Sequence, residues 1–161
     1  GMNLGERLRG RVTVVGIGNP LRGDDGVGCR VAELLIEGRR TGARALRNGV
    51  AVLNVEDVLE NYLGDVAAAH PDVVLMVDAA DVGGAPGDAA LVEESALKDA
   101  PCATHRTPLG VTASVIRQRT GAEVLVLTVQ PASLDWGAPM SAPVAEAAEH
   151  VSALLQEALG C

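Results

Sequence analysis

Short apolar runs closed by glycine alternate with helical periodicities along the chain. Val12 to Ile17 (VTVVGI) is a β-branched run, the pattern of a strand buried on both faces. After GNPLRGDDGVG, the apolar positions Val27, Val31, Leu34 and Leu35 recur at three- and four-residue steps, and Arg39, Arg40 and Gly42 stop the helix they predict. The alternation then repeats. Val50 to Val55 reads as a strand, Val58 to Ala69 as a helix, and Val73 to Val77 as a fully apolar strand followed at once by Asp78. A Gly/Pro-rich turn from Val82 to Gly87 permits a tight reversal into a short strand at Ala89 to Val92, predicted as an antiparallel edge. Pro101 to Thr107 reads as a loop, Pro108 opens a helix reaching Gln118, and Val124 to Val129 is the last strand. Val144, Ala148, Val151, Leu155 and Leu159 make an amphipathic closing helix.

This order predicts an α/β fold: a three-layer domain over residues 11–161, with a mostly parallel twisted sheet of about five strands and helices on both faces. Residues 1–10 are charged and read as a disordered or expression-derived lead-in, with no apolar stretch suited to a signal peptide.

Composition narrows the class. Of 161 residues, 48% are hydrophobic and 21% charged, which is too apolar for disorder, and no run approaches the roughly 18 residues of a membrane span. Trp136 and Tyr62 are the whole aromatic set, so aromatic stacking platforms for nucleic acid are excluded. The net charge of −8 is uneven: nine Arg against five acids in residues 1–50, four basic residues against sixteen acids beyond. That surface repels nucleic acid over most of its length. The Arg residues of the first third read as solvated helix and tail positions. Cys29, Cys102 and Cys161 have no paired spacing, which disfavours a disulfide framework and fits a reducing cytosol; Cys29 and Cys102 read as structural.

In an open parallel sheet, ligands bind outside the carboxyl ends of the strands. Asp24 and Asp25 follow the first strand, Asp78 ends the third, and His105 precedes the helix opened by Pro108. Two carboxylates and an imidazole at one edge suit a divalent borderline metal such as zinc or nickel. An aspartate at a helix start also caps it, so the cap is assigned to Asp24 and the site to Asp25. A charge directly after an apolar strand, as at Asp78, needs a partner or water. A rival reading is dinucleotide binding at Gly16-Ile-Gly18. The third glycine of that fingerprint is missing, position 21 being Leu, and Asp24 and Asp25 stand where a pyrophosphate would bind.

These same residues carry a family resemblance. GIGNPLRGDDGVG (Gly16 to Gly28), VDAADVGGAPG (Val77 to Gly87) and ATHRTPLG (Ala103 to Gly110) resemble the three signature segments of the nickel-iron hydrogenase maturation endopeptidases. VQPASLDWGAPMSAPV (Val129 to Val144) is similar to that family's Gln-Pro segment and following helix. The resemblance implies a cytoplasmic endopeptidase that removes a short C-terminal peptide from the large-subunit precursor of a hydrogenase once nickel has been inserted. It implies Asp25, Asp78 and His105 as the catalytic and metal-contacting residues, and no permanent cofactor, the nickel being the substrate's own. It leaves open an aspartic-type and a metal-assisted route. Where relatives carry a Gly-rich stretch after the second strand, this chain has Asn54-Val55-Glu56-Asp57, and Glu56 to Asn61 is closer to the branch serving formate-hydrogenlyase-type hydrogenases. Trp136 and Tyr62 read as packing or partner-surface residues. The alternatives to an endopeptidase are a non-catalytic metal-binding or chaperone-like maturation module and a dinucleotide-binding oxidoreductase.

Overall fold

A computed structural model describes residues 3–99 and 108–161. The apolar runs form a five-stranded sheet from β1 (Val12–Ile17), β2 (Val50–Glu56), β3 (Val73–Ala79), β4 (Ala89–Glu93) and β5 (Glu123–Val129), in the order β2-β1-β3-β5-β4. The first four neighbours run parallel, and β4 closes the edge antiparallel to β5, Leu91 opposite Leu127.

Both faces are covered. Side chains alternate along a strand, so Val12 and Val14 enter one core and Val15 and Ile17 the other. The first core packs the sheet against α2 (Val27–Thr41) and α5 (Ala142–Leu159), the second against α3 (Leu63–Ala68) and α4 (Leu109–Thr120). Each fully buried Val or Leu contributes about 1.5–3 kcal/mol, which lets aliphatic residues alone hold this chain together. Among the described residues no helix is long and apolar enough to cross a membrane.

Four details depart from the sequence pattern. Residues 3–10, read as part of a lead-in, belong to the fold: Leu4–Arg7 form a short helix, α1, and Leu4 and Leu8 are buried in the first core. A pair of leucines four apart is one turn of an amphipathic face, too short to stand out among charged neighbours. Arg47 pins this segment by donating to the carbonyls of Leu8 and Gly10 at 2.8 and 3.0 Å. Arg39 likewise donates to the carbonyl of Val50, and Arg11 to that of Ala69, so these three arginines are structural rather than merely solvated. The helix expected from Val58 to Ala69 divides into a 3-10 turn, Leu59–Asn61, and α3, with Tyr62 at φ −114° between them. Pro108 caps α4 in an extended conformation instead of lying in its first turn.

Glycines bring α2 onto the sheet. A Cβ on Gly28 would strike the carbonyl of Val77, and one on Gly16 would meet the Ala32 side chain at 2.8 Å. The start of α2 therefore lies directly over the ends of β1 and β3.

Candidate active site

The site is built around Gly18, the first residue after β1. Its φ of +141° suits glycine, and its amide donates to the carbonyl of Glu56 at 3.0 Å, fixing the end of β1 to the end of β2. β2 is bulged there: Gly16 pairs with Asn54 but Ile17 with Glu56, and Glu56 adopts φ +51°. A Cβ on Gly18 would collide with the carbonyl of Asp25 and would lie 3.6 Å from Oδ1 of Asp78. Gly18 thus packs against the backbone of Asp25 and lies near the carboxylate of Asp78.

Asp25 is completely buried and Asp78 is 1% exposed. Asp25 lies in the 3-10 turn Gly23–Gly26 that leads into α2, and its Oδ2 accepts the amide of Asn19 at 2.9 Å. Asn19 in turn accepts the amide of Leu21 at 2.9 Å, so the loop between β1 and α2 folds back on its own acid. Asp78 is the penultimate residue of β3, opposite Thr128 of β5, and its Oδ1 accepts the amide of Ala79 at 2.8 Å. Removing a carboxylate from water costs several kcal/mol, and the charges of Asp78 and Asp25 both reach the Cys29 thiol, so this end of the sheet favours a cation.

Asp24 has a different task from the one expected. It does not cap α2; its carboxylate reaches across the sheet edge to the segment between β5 and α5. It accepts the amides of Ser141, Ala132 and Ser133 at 2.7, 2.8 and 3.2 Å and the Ser141 hydroxyl at 2.8 Å. Burial is the largest single influence on Asp24 and disfavours its charge, but these donors together outweigh it and hold the carboxyl below its ordinary value. The two adjacent aspartates therefore have different partners, Asp24 in the segment between β5 and α5 and Asp25 in the loop after β1.

Cys29 lies one turn into α2, with its thiol donating to the carbonyl of Gly18 at 3.5 Å. Burial first, and then the charges of Glu56, Asp78, Glu33 and Asp25, push the thiol up to about 12. It is a neutral donor beneath the site and has no nucleophilic character at physiological pH.

A cleft of about 180 Å³ opens beside Asp78. Leu59 and Leu63 form one wall, Leu109, Val111 and Val115 of α4 the other, and Asp57 and Glu60 also line it. Gln130, directly after β5, is the glutamine of the Gln-Pro segment and has no site role assigned from the sequence. Its Oε1 accepts the amides of Val82 and Gly84 at 2.8 and 3.1 Å, and its Nε2 donates to Asp81 at 3.0 Å. That hydrogen bond, with the amide of Gly83, holds the Asp81 carboxyl below its ordinary value. A polar residue immediately after an apolar strand, the signal that marked Asp78, would also have found Gln130. His105 and Cys102 lie outside the described residues. Among the described residues no group of three metal-ligating side chains is assembled.

Comparison with known proteins matches this architecture to one family. A family model described as hydrogenase maturation protease, HycI, matches residues 38–158. The chain belongs to the hydrogenase maturation proteases. It resembles the crystal structure of a [NiFe] hydrogenase maturation protease HycI from Thermococcus kodakarensis, with 34% identity, 97% of each chain covered and a TM-score of 0.84. The hydrogenase 3 maturation protease of Escherichia coli K12 is 29% identical over 136 residues, covering 84% of this chain and 82% of that relative. The solution structure of an endopeptidase HycI from Escherichia coli shares the fold, with a TM-score of 0.77. Membership makes this chain a peptidase and removes the dinucleotide oxidoreductase and the non-catalytic module. The fold class expected from the pattern, parallel sheet with an antiparallel edge strand, is the one this family has.

Proposed function

We propose that this protease acts in the cytoplasm as an endopeptidase that removes a short C-terminal peptide from the nickel-loaded large-subunit precursor of a nickel-iron hydrogenase, of the kind served by its hydrogenase 3 relatives. The observation that carries the reading is a buried carboxylate, Asp78, in the wall of an open cleft, with the buried Asp25 on the loop that packs against the same glycine, Gly18. Asp25, Asp78 and His105 contact the substrate's nickel, which serves as an address: only a precursor already holding metal presents a cation to this anionic pocket. The protease needs no resident cofactor of its own.

The chain segment to be cut enters the cleft between α4 and the Leu59–Leu63 region, where apolar walls suit an extended peptide with aliphatic side chains. Grasping the nickel orients the scissile bond. A carboxylate of the pair takes a proton from water, the water oxygen attacks the peptide carbonyl carbon, and the C–N bond breaks as the leaving amine gains a proton.

The test is to incubate the protein with nickel-loaded and nickel-free precursor and to measure the mass of the large subunit. Loss of a short C-terminal peptide from the loaded form alone is expected. Equal cutting of both forms would overturn the nickel address, and binding without any loss of mass would overturn the reaction.

A further inference from the structure

The only tryptophan of this chain is not in its core. Trp136 is 68% exposed, and Leu21 beside it is also 68% exposed. Large apolar side chains left in water carry a cost that a monomer gains nothing from, and Trp, with Arg, is the residue type that most often dominates binding at protein interfaces.

The two loops that carry these residues are bonded to each other. The Arg22 guanidinium lies 5.1 Å from the centre of the Trp136 ring, and its Nε donates to the carbonyl of Leu134 at 3.3 Å. The amide of Gly137 donates to the carbonyl of Leu21 at 2.8 Å, and the amide of Asp24 donates to that of Ser133 at 3.0 Å. With the four bonds to the Asp24 carboxylate, two loops from opposite ends of the chain are laced into one ledge. A preformed ledge loses little side-chain freedom when a partner settles on it.

The ledge is continuous with the candidate site. Leu21 and Arg22 belong to the same short loop as Asn19 and Asp25, so a body resting on Trp136 is within a few residues of the paired aspartates. We propose that Leu21, Arg22 and Trp136 form the docking platform for the folded body of the protein substrate, separate from the cleft that takes its tail. The fitting surface is an apolar protrusion with a carboxylate at its edge, facing the Arg22 guanidinium beside the Trp136 ring. This inference rests on the proposed substrate. It adds that recognition is divided: the tail and metal are read at Asp25 and Asp78, the body at Trp136.

The experiment compares wild type, Trp136→Ala, Leu21→Ala and Trp136→Phe on nickel-loaded precursor, with melting temperature as a check of folding and sedimentation as a check of self-association. Trp136→Ala should raise KM about tenfold or more with kcat within twofold, Leu21→Ala should raise it less, and Trp136→Phe should recover most of the loss. A KM within twofold of wild type for Trp136→Ala, or a loss confined to kcat, overturns the platform. Wild-type dimers that Trp136→Ala dissolves would make a second copy the occupant and overturn it too. Wild-type protein that neither binds nor cuts the precursor sinks the functional reading itself, whereas wild type that cuts it with Trp136→Ala unaffected sinks only the platform.

Discussion

Asp24 grips Ser141 twice, through the backbone amide at 2.7 Å and through the hydroxyl at 2.8 Å. The two residues are far apart in sequence, and this clasp joins the loop before α2 to the first residue before α5.

Replacing Asp24 with alanine leaves the amides of Ala132, Ser133 and Ser141 without their acceptor in a partly buried setting. Unsatisfied donors of that kind cost about 1–3 kcal/mol each, moderated by whatever water reaches them, so a loss of roughly 2–5 kcal/mol is expected from urea unfolding. The pH dependence has a definite sign. The folded carboxyl lies below its ordinary value of 3.8, so its contribution is complete above that value and fades as pH falls through the lower folded value. Stability curves of wild type and Asp24→Ala should therefore converge in acid below about pH 4, which chemical denaturation at a series of pH values would show.

Asp25→Asn should separate chemistry from folding. An asparagine oxygen still accepts the Asn19 amide, so the loop keeps its hydrogen bond while the pocket loses a charge. Precursor cleavage should drop by roughly 10²–10⁴-fold with little change in melting temperature. His105→Ala should lose cleavage to a similar degree, and normal processing by both variants would remove these residues from the site.

Gly18→Ala should damage both. Its Cβ would collide with the Asp25 carbonyl at a backbone conformation alanine resists. A destabilisation of roughly 2–5 kcal/mol is expected, with cleavage falling further than the folded fraction because the turn bearing Asp25 is displaced. Circular dichroism melts set beside precursor turnover would separate the two effects.

Cys29 and Cys161 should differ sharply toward alkylating reagents. With its thiol pushed up to about 12 and its sulfur buried, Cys29 should stay unmodified in native protein at pH 8, while the exposed Cys161 reacts. Peptide mass mapping before and after unfolding checks this. Cys29→Ala should still cut precursor, since the thiol serves only as a donor to Gly18.

The central strands are legible because they are short, mostly apolar β-branched runs, a pattern that belongs to a parallel sheet covered on both faces. The placement of Asp25 and Asp78 follows a related rule: Asp78 directly follows an apolar run and Asp25 lies in the turn between β1 and α2, at the edge where an open parallel sheet collects its ligands. Asp24 was misread because its partners, Ala132 to Ser141, come from the far end of the chain, and a local capping rule has no access to such contacts. Leu4 and Leu8 were missed because one helical turn among charges carries too little periodicity to register. The bulge that offsets Ile17 against Glu56 leaves no trace in composition, since it depends on how two strands slide past each other.

The lacing of Asp24 to residues 132–141 also sets an order of events during synthesis. Until the ribosome has delivered the segment beyond β5, the Asp24 carboxylate lacks its four donors. The clasp between the loop before α2 and the start of α5 is thus one of the last contacts the growing chain can make.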